Sequence, residues 1–77
     1  MAKKKVELRG GITPDGTYDV SAWVDGQEAS DPDLILRGVG AGGVVALYER
    51  VKDRFGQEPE IPPGDLYDCF PEGFFEE

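Results

Sequence analysis

The sequence predicts an α+β fold in which a small antiparallel sheet, a β-hairpin or three strands, packs on one α-helix. Three observations predict it: apolar and polar residues alternate between residues 5 and 24, turn dipeptides separate the alternating runs, and one amphipathic segment ends at Gly56. The 77 residues suffice for one small domain with a thin core. We expect a ββ(β)α domain over residues 1–56, with a proline-containing connector and an acidic aromatic tail over 57–77 packed back on it.

Period-two alternation predicts the first two strands. Val6, Leu8 and Ile12 share one face of the first strand, and charged residues occupy the other face. The segment TPDGT, residues 13–17, favours a chain reversal through its proline and its Asp-Gly pair. The second strand then has one apolar face, made of Tyr18, Val20, Ala22 and Val24.

The secondary structure of residues 25–38 is less clearly indicated by the sequence. Asp25-Gly26 favours a second hairpin turn, so residues 27–30 are expected to return as a short edge strand. Asp31 followed by Pro32 is typical of a helical turn. The segment Leu34–Leu36 fits either that turn or a short buried strand, and the Asp-Pro-Asp run favours the irregular or helical turn.

Apolar residues recur at helical spacing in the next segment, at Val44, Leu47, Val51 and Phe55. This spacing predicts a helix over 44–55, and Gly56 is suited to cap its C-terminus.

The helix is preceded by G-x-G-x-x-G, the spacing of a dinucleotide-binding loop, at Gly38, Gly40 and Gly43. No second parallel strand is predicted after the helix, and no lysine or hydroxyl residue follows the glycines. We therefore interpret these glycines, with Gly42, as residues that allow tight turning and close packing of the helix on the sheet.

The charge distribution restricts the classes of partner. The chain carries 16 acidic and 8 basic residues, a net charge of −8, and residues 56–77 hold seven acids and no base. Contacts to phosphate backbones need Lys and Arg, so no direct binding to nucleic acid is expected. The basic start MAKKK fits a solubilising terminus. Without an apolar run of membrane-spanning length or a signal peptide, we expect a soluble, cytoplasmic protein that does not bind membranes.

Catalytic and metal chemistry find little support in the composition. The chain has no histidine, so neither a Ser–His nor a Cys–His dyad can form, and we expect no enzyme, no metal and no cofactor. Cys69 is the single cysteine, which fits a reducing compartment. Its neighbours Asp68 and Phe70 are expected to raise the pKa of the thiol and so to reduce its reactivity.

Two features are candidates for binding a partner. Trp23 falls on the polar face of the second strand, where either the tail or another loop covers it or it is an exposed anchor. The tail DLYDCFPEGFFEE holds half of the aromatic residues, which either complete the core or dock on a basic partner. The candidate partner-binding residues are Trp23, Asp65, Tyr67, Asp68, Phe70, Glu72, Phe74 and Phe75.

In length, acidity and the hairpin GTYDVSAWVDG leading to a single helix, the chain resembles small acidic phage-encoded inhibitors of the anti-CRISPR and anti-defence type. The resemblance covers residues 5–56 and transfers no site residue. It implies a stoichiometric inhibitor that covers a basic nucleic-acid groove of a protein, with carboxylates in place of phosphates. The alternative hypothesis is a structural or regulatory subunit that forms a homodimer or joins an assembly through Trp23 and the tail aromatics.

Overall fold

A computed structural model describes residues 4–74 and confirms the α+β class. Within these residues the sheet has four strands, more than the predicted hairpin or three-stranded sheet. The elements in chain order are β1 (Val6–Ile12), β2 (Tyr18–Val24), β3 (Gln27–Glu28), a 3-10 turn (Pro32–Leu34), β4 (Ile35–Val39), α1 (Ala41–Phe55) and a second 3-10 turn (Tyr67–Cys69).

β1 and β2 form the predicted hairpin, paired from Val6 opposite Val24 to Ile12 opposite Tyr18. The turn is closed by a hydrogen bond from the Thr13 N–H to the Thr17 carbonyl, 2.7 Å long. The Asp15 carboxylate accepts hydrogen bonds from both threonine hydroxyls, and these bonds lower the pKa of Asp15. The TPDGT segment therefore fixes the register of the two longest strands.

β2 is the central strand, because β1 pairs with one of its edges and both β3 and β4 pair with the other. The expected edge strand over residues 27–30 is present but shorter, at Gln27–Glu28. Residues 31–38 contain both of the structures that the sequence left open. Asp31 caps the 3-10 turn by accepting from the Asp33 N–H at 2.9 Å, and the chain then enters β4.

The preference for a turn at Leu34–Leu36 is thus right for Leu34 and wrong for Ile35 and Leu36, which belong to β4. The strand forms because β2 offers a free edge there: Leu36 lies opposite Val20. This is a tertiary contact that local propensity does not encode.

α1 begins at Ala41, three residues before the predicted start, and ends at Phe55 as predicted. Gly56 caps it in the left-handed conformation, φ 68°, with its N–H donating to the Lys52 carbonyl. The buried face of the helix consists of Val44, Leu47, Tyr48 and Val51. It packs on the sheet face that carries Val6, Leu8, Val20 and Ala22.

Gly43 lies in the first turn of α1, against Val39 at the end of β4. A Cβ atom on Gly43 would be 2.7 Å from the Cβ of Val39, closer than side chains approach one another. Gly42, one residue earlier, faces open space. The proposed role of the glycine-rich segment in close helix packing therefore applies to Gly43.

The segment after α1 returns to the domain. Glu60 forms a single parallel bridge with β1: its N–H donates to the Val6 carbonyl and its carbonyl accepts from the Leu8 N–H, at 2.9 and 2.8 Å. Further on, Leu66, Cys69 and Phe70 are buried in the same core as the helix and the sheet. Glu60 thus covers part of the outer edge of β1.

The adjacent glycines give a matched pair of variants. We expect Gly43→Ala to destabilise the fold by about 1–3 kcal/mol, because Val39 would have to move. Gly42→Ala should instead stabilise it by about 0.5 kcal/mol through helix propensity alone. Urea unfolding followed by circular dichroism measures both, and equal effects of the same sign would contradict the close packing at Val39.

Candidate functional site

The two faces of the sheet have different surroundings. Val20 and Ala22 point to the core shared with α1, whereas the alternating residues of β2 lie on the opposite face. We call that opposite face the open sheet face. It consists of Glu7, Arg9, Gly11, Asp19, Ser21, Trp23, Glu28, Ile35 and Arg37.

Trp23 is fixed on the open sheet face by its neighbours in the sheet. The Arg9 guanidinium lies over the indole ring, 4.4 Å from the ring centroid. The indole N–H donates to Ser21 Oγ at 3.0 Å, and the Ser21 hydroxyl donates to Glu28 Oε2 at 2.9 Å. Arg9 also pairs with Glu7 at 2.6 Å. Trp23 is therefore partly covered by side chains of its own and the adjacent strands, and not by the tail or a loop as one of the two interpretations expected.

A shallow cavity of about 290 Å³ lies beside Trp23, between β2 and β4. Its lining combines the guanidinium groups of Arg9 and Arg37 with the carboxylates of Asp19 and Glu28. Arg37 is exposed and makes no ion pair within residues 4–74. The cavity is at the lower limit of small-ligand sites, and its mixed charge is typical of a polar contact surface.

The second candidate surface is the acidic segment, residues 65–72. The side chains of Asp65, Asp68 and Glu72 are exposed, and none of their carboxylates makes an ion pair within the described chain. Burial of Leu66 and Phe70 between them holds this backbone against the domain. The carboxylates are thus presented on a fixed backbone.

The tail aromatics divide between core and surface. Phe70 is 9% exposed and meets the Tyr48 ring edge-on, with ring centroids 5.3 Å apart. Phe74 contacts the same tyrosine at 5.4 Å and Phe70 at 5.1 Å. Tyr67 is 51% exposed. Phe70 and Phe74 therefore belong to an aromatic cluster with the helix, and Phe75 lies outside the described residues.

The candidate residues do not form one surface. Asp65, Tyr67, Asp68, Phe70, Glu72 and Phe74 lie in one segment packed against α1. Trp23 lies on the other face of the sheet. Sequence reasoning placed Trp23 on a polar face but missed Arg37, Glu28 and Ile35 as its neighbours. Strand alternation could have assigned Glu7 and Arg9 to that face, and the Asp25-Gly26 turn pointed to β3, but nothing in the sequence indicated that β4 pairs with β2.

A carboxylate of the chain itself accepts a hydrogen bond from the first glycine of the glycine-rich segment. The Gly38 N–H donates to Asp19 Oδ1 at 3.0 Å. Of the residues described, no three His, Cys, Asp or Glu are placed to hold a metal ion. No helix in the described range has the length and apolar character needed to cross a membrane.

Cys69 is 8% exposed, and burial raises the pKa of its thiol. A hydrogen bond with Tyr18 opposes this shift, and the charges of Asp68 and Asp65 add to it. The raised pKa of the Cys69 thiol agrees with the expectation from the sequence. A buried thiol with a raised pKa is a poor nucleophile at neutral pH.

Comparisons of the chain with protein-family models, with curated proteins and with solved structures find no match.

The aromatic cluster predicts a contrast between two tail residues. Phe70→Ala should destabilise the protein by about 3 kcal/mol, because a buried ring in contact with Tyr48 is lost. Tyr67→Ala should change the unfolding free energy by less than about 1 kcal/mol, since half of that side chain is exposed. Thermal melts of both variants measure this, and similar melting temperatures would contradict the core role of Phe70.

The environment of Cys69 predicts slow thiol chemistry. At pH 7.5 a chromogenic disulfide reagent should modify the native protein at least about tenfold more slowly than the urea-unfolded protein. In the fold the raised pKa of Cys69 reduces the fraction of thiolate, and burial limits the reagent's access to the sulfur. Equal rates in the two states would show that the thiol is accessible and ionised in the fold.

Proposed function

We propose that the chain is a non-catalytic protein-binding module that acts in the cytoplasm as a stoichiometric inhibitor of a nucleic-acid-handling protein. Its acidic segment binds the basic surface that the target uses for nucleic acid. The observation that carries this proposal is the exposure of Asp65, Asp68 and Glu72 on a backbone held by buried neighbours. The likeness in length and acidity to phage-encoded inhibitors supports it and favours a phage or mobile-element origin.

The chemistry of the acidic segment supports a basic partner. Residues 55–77 contain no basic side chain, so carboxylates there meet no competing charge from their own segment. On a surface that normally binds phosphates, Arg and Lys form charge-assisted hydrogen bonds with carboxylates. Because Leu66 and Phe70 are already packed in the core, little backbone ordering remains to oppose binding.

Electrostatics should affect the rate of association as well as its strength. A net charge of −8 on a 77-residue chain accelerates encounter with a positively charged groove at low ionic strength. Half-exposed Tyr67 lies between Asp65 and Asp68 and supplies an aromatic group at the centre of the segment. Aromatic residues surrounded by polar groups are common at the centres of protein interfaces.

The alternative is a subunit that assembles through Trp23 and the tail aromatics. The inward packing of Phe70 and Phe74 on Tyr48 disfavours the tail half of that hypothesis, because those rings already have their apolar contacts within the chain. We therefore propose the acidic segment as the surface that binds the partner, and Trp23 is not part of that surface.

The test compares two triple variants that have the same net charge but lose their carboxylates at different places. The triple variant Asp65→Asn, Asp68→Asn, Glu72→Gln removes the acidic segment's charge. The control Asp33→Asn, Glu49→Gln, Asp53→Asn removes the same charge elsewhere, from side chains that are also exposed. Wild type should capture nucleic-acid-binding proteins from a cell extract, and the first variant should lose them while the control retains them.

Two further measurements define the mechanism. Capture should weaken steeply when salt is raised from about 50 to 300 mM, because screened carboxylates attract a basic surface less strongly. A double-stranded DNA oligonucleotide should compete with the protein for the captured target. Equal capture by both triple variants, or simultaneous binding of DNA and inhibitor, would contradict the proposed mimicry of nucleic acid.

A further inference from the structure

We propose that the outer edge of β1, at residues 8–12, binds an extended basic segment of the target protein as an added β-strand. We call this part of the molecule the unpaired β1 edge. The inference rests on the proposed function, because it names the element of the basic partner that the chain recognises. It adds hydrogen bonds between backbones to the attraction between opposite charges.

The connector after α1 pairs with only the first half of the outer edge of β1. Glu60 donates to the Val6 carbonyl and accepts from the Leu8 N–H, as one residue of a parallel strand does. To continue that pattern, residue 62 would have to donate to the Leu8 carbonyl. Residue 62 is a proline and has no N–H, so the pairing ends there.

The second half of this edge has backbone groups without partners. The Val6 carbonyl and the Leu8 N–H meet Glu60, so the even-numbered residues of β1 direct these groups away from β2. Gly10 and Ile12 follow the same alternation. Within residues 4–74 no hydrogen bond is formed by the Leu8 carbonyl, by the N–H or carbonyl of Gly10, or by the Ile12 N–H. These four groups are a template for one further strand.

The unpaired β1 edge is accessible and carries an apolar side chain. Gly10 is exposed, and Ile12 is 52% exposed although it shares a face of β1 with the core residue Leu8. In the described part of the chain, Ile12 and Tyr67 are the large apolar residues that remain exposed. An added strand covers Ile12 with its own apolar side chain, and this burial favours binding.

The acidic segment lies at the same end of the sheet, on the side covered by α1. Tyr18 is paired with Ile12, and its hydrogen bond with Cys69 raises the pKa of its hydroxyl. The negative charges of Asp65 and Asp68 raise that pKa further, so both carboxylates are within electrostatic reach of this end of the hairpin. Basic side chains on this side of an added strand therefore meet carboxylates.

The other side of the unpaired β1 edge is acidic as well. Glu7 and Glu60 face each other across the parallel bridge, so both side chains lie on the open sheet face. Arg9 is the base beside them, and it already pairs with Glu7. Together residues 6–12 and 60–72 hold five acids and one base. This charge selects a basic strand and disfavours a second copy of the chain, whose net charge is −8.

A basic peptide of high strand propensity tests the added strand. The probe is acetyl-Arg-Val-Arg-Val-Arg-Val-amide, added to the whole ¹⁵N-labelled chain in about 50 mM salt and followed by NMR. Binding should be saturable, and the amide protons of Gly10 and Ile12 should exchange with solvent at least about fivefold more slowly at saturation, because both donate to the peptide. The Gly42 amide, in the first turn of α1, should keep its rate.

Two control peptides separate backbone pairing from charge. The same peptide N-methylated at its four central residues keeps its side chains and its charge but loses N–H donors. It should bind at least about tenfold more weakly, since the added strand loses its hydrogen bonds. A peptide with glutamate in place of arginine should not bind, because it meets carboxylates on both sides of the edge.

A pair of variants at one position gives the matching test in the protein. Ile12→Pro removes the outward N–H, and proline is tolerated at a strand edge where that group faces solvent. It should bind the probe more weakly than Ile12→Ala, which also loses the side chain but keeps the N–H, by at least about fivefold. If Ile12→Pro fails to fold by circular dichroism, the comparison of the methylated and unmethylated peptides decides the question.

The outcomes distinguish this inference from the proposed function. Absence of probe binding, equal binding of the methylated peptide, or unchanged exchange of Gly10 and Ile12 at saturation overturns the added strand. None of these results affects the capture of target proteins by the acidic segment, which the two triple variants test by themselves. Protection of the same amides that rises with protein concentration in the absence of peptide would assign the edge to a second copy and also overturns the proposal.

Discussion

The position of β2 at the centre of the sheet is the constraint on which the rest of the structure depends. Its two faces serve different purposes: Val20 and Ala22 are buried under α1, and Ser21 and Trp23 hold the polar network of the open sheet face. A shift of one residue in its register would exchange these two sets, placing the indole in the core and the apolar side chains in solvent. The β1–β2 turn is therefore as important to the surface chemistry as to the fold, because the hydrogen bonds around Asp15 fix that register.

A chain of this size cannot form a sufficient core from one hairpin and one helix, and this explains why the C-terminal segment is structural as well as acidic. Leu66 is 2% exposed and Phe70 packs on Tyr48, so the segment contributes apolar burial that the sheet and helix lack. Fixing those two side chains also fixes the backbone that carries Asp68 between them and Asp65 and Glu72 on either side. In this protein the stability of the core and the geometry of the acidic surface are therefore properties of one segment, and a change that loosens one disturbs the other.

Sequence patterns predicted an element best where one face of that element is buried along its whole length. The spacing of Val44, Leu47 and Val51 predicted the helix, but the low helix propensity of Gly42 and Gly43 concealed its first turn. Glycine is favoured at position 43 by the approach of Val39, four residues earlier, and this approach depends on how the helix folds back on the end of β4. A short strand at Leu34–Leu36 was an open alternative but not the preferred one, because β4 is short and forms by pairing with β2. The β4 neighbours of Trp23 and the inward packing of Phe70 depend on pairing and packing partners distant in sequence, which alternation and composition do not specify.

The acidic segment and the open sheet face lie on opposite sides of the sheet. The acidic segment packs with α1, whereas Trp23 and Arg37 lie on the other face, so one surface can be occupied without covering the other. The charges of the acidic segment and the polar network around Trp23 are therefore independent properties of the molecule. Because no side chain is shared between the two surfaces, the effects of substitutions in one should add to those in the other as long as the core between them stays folded.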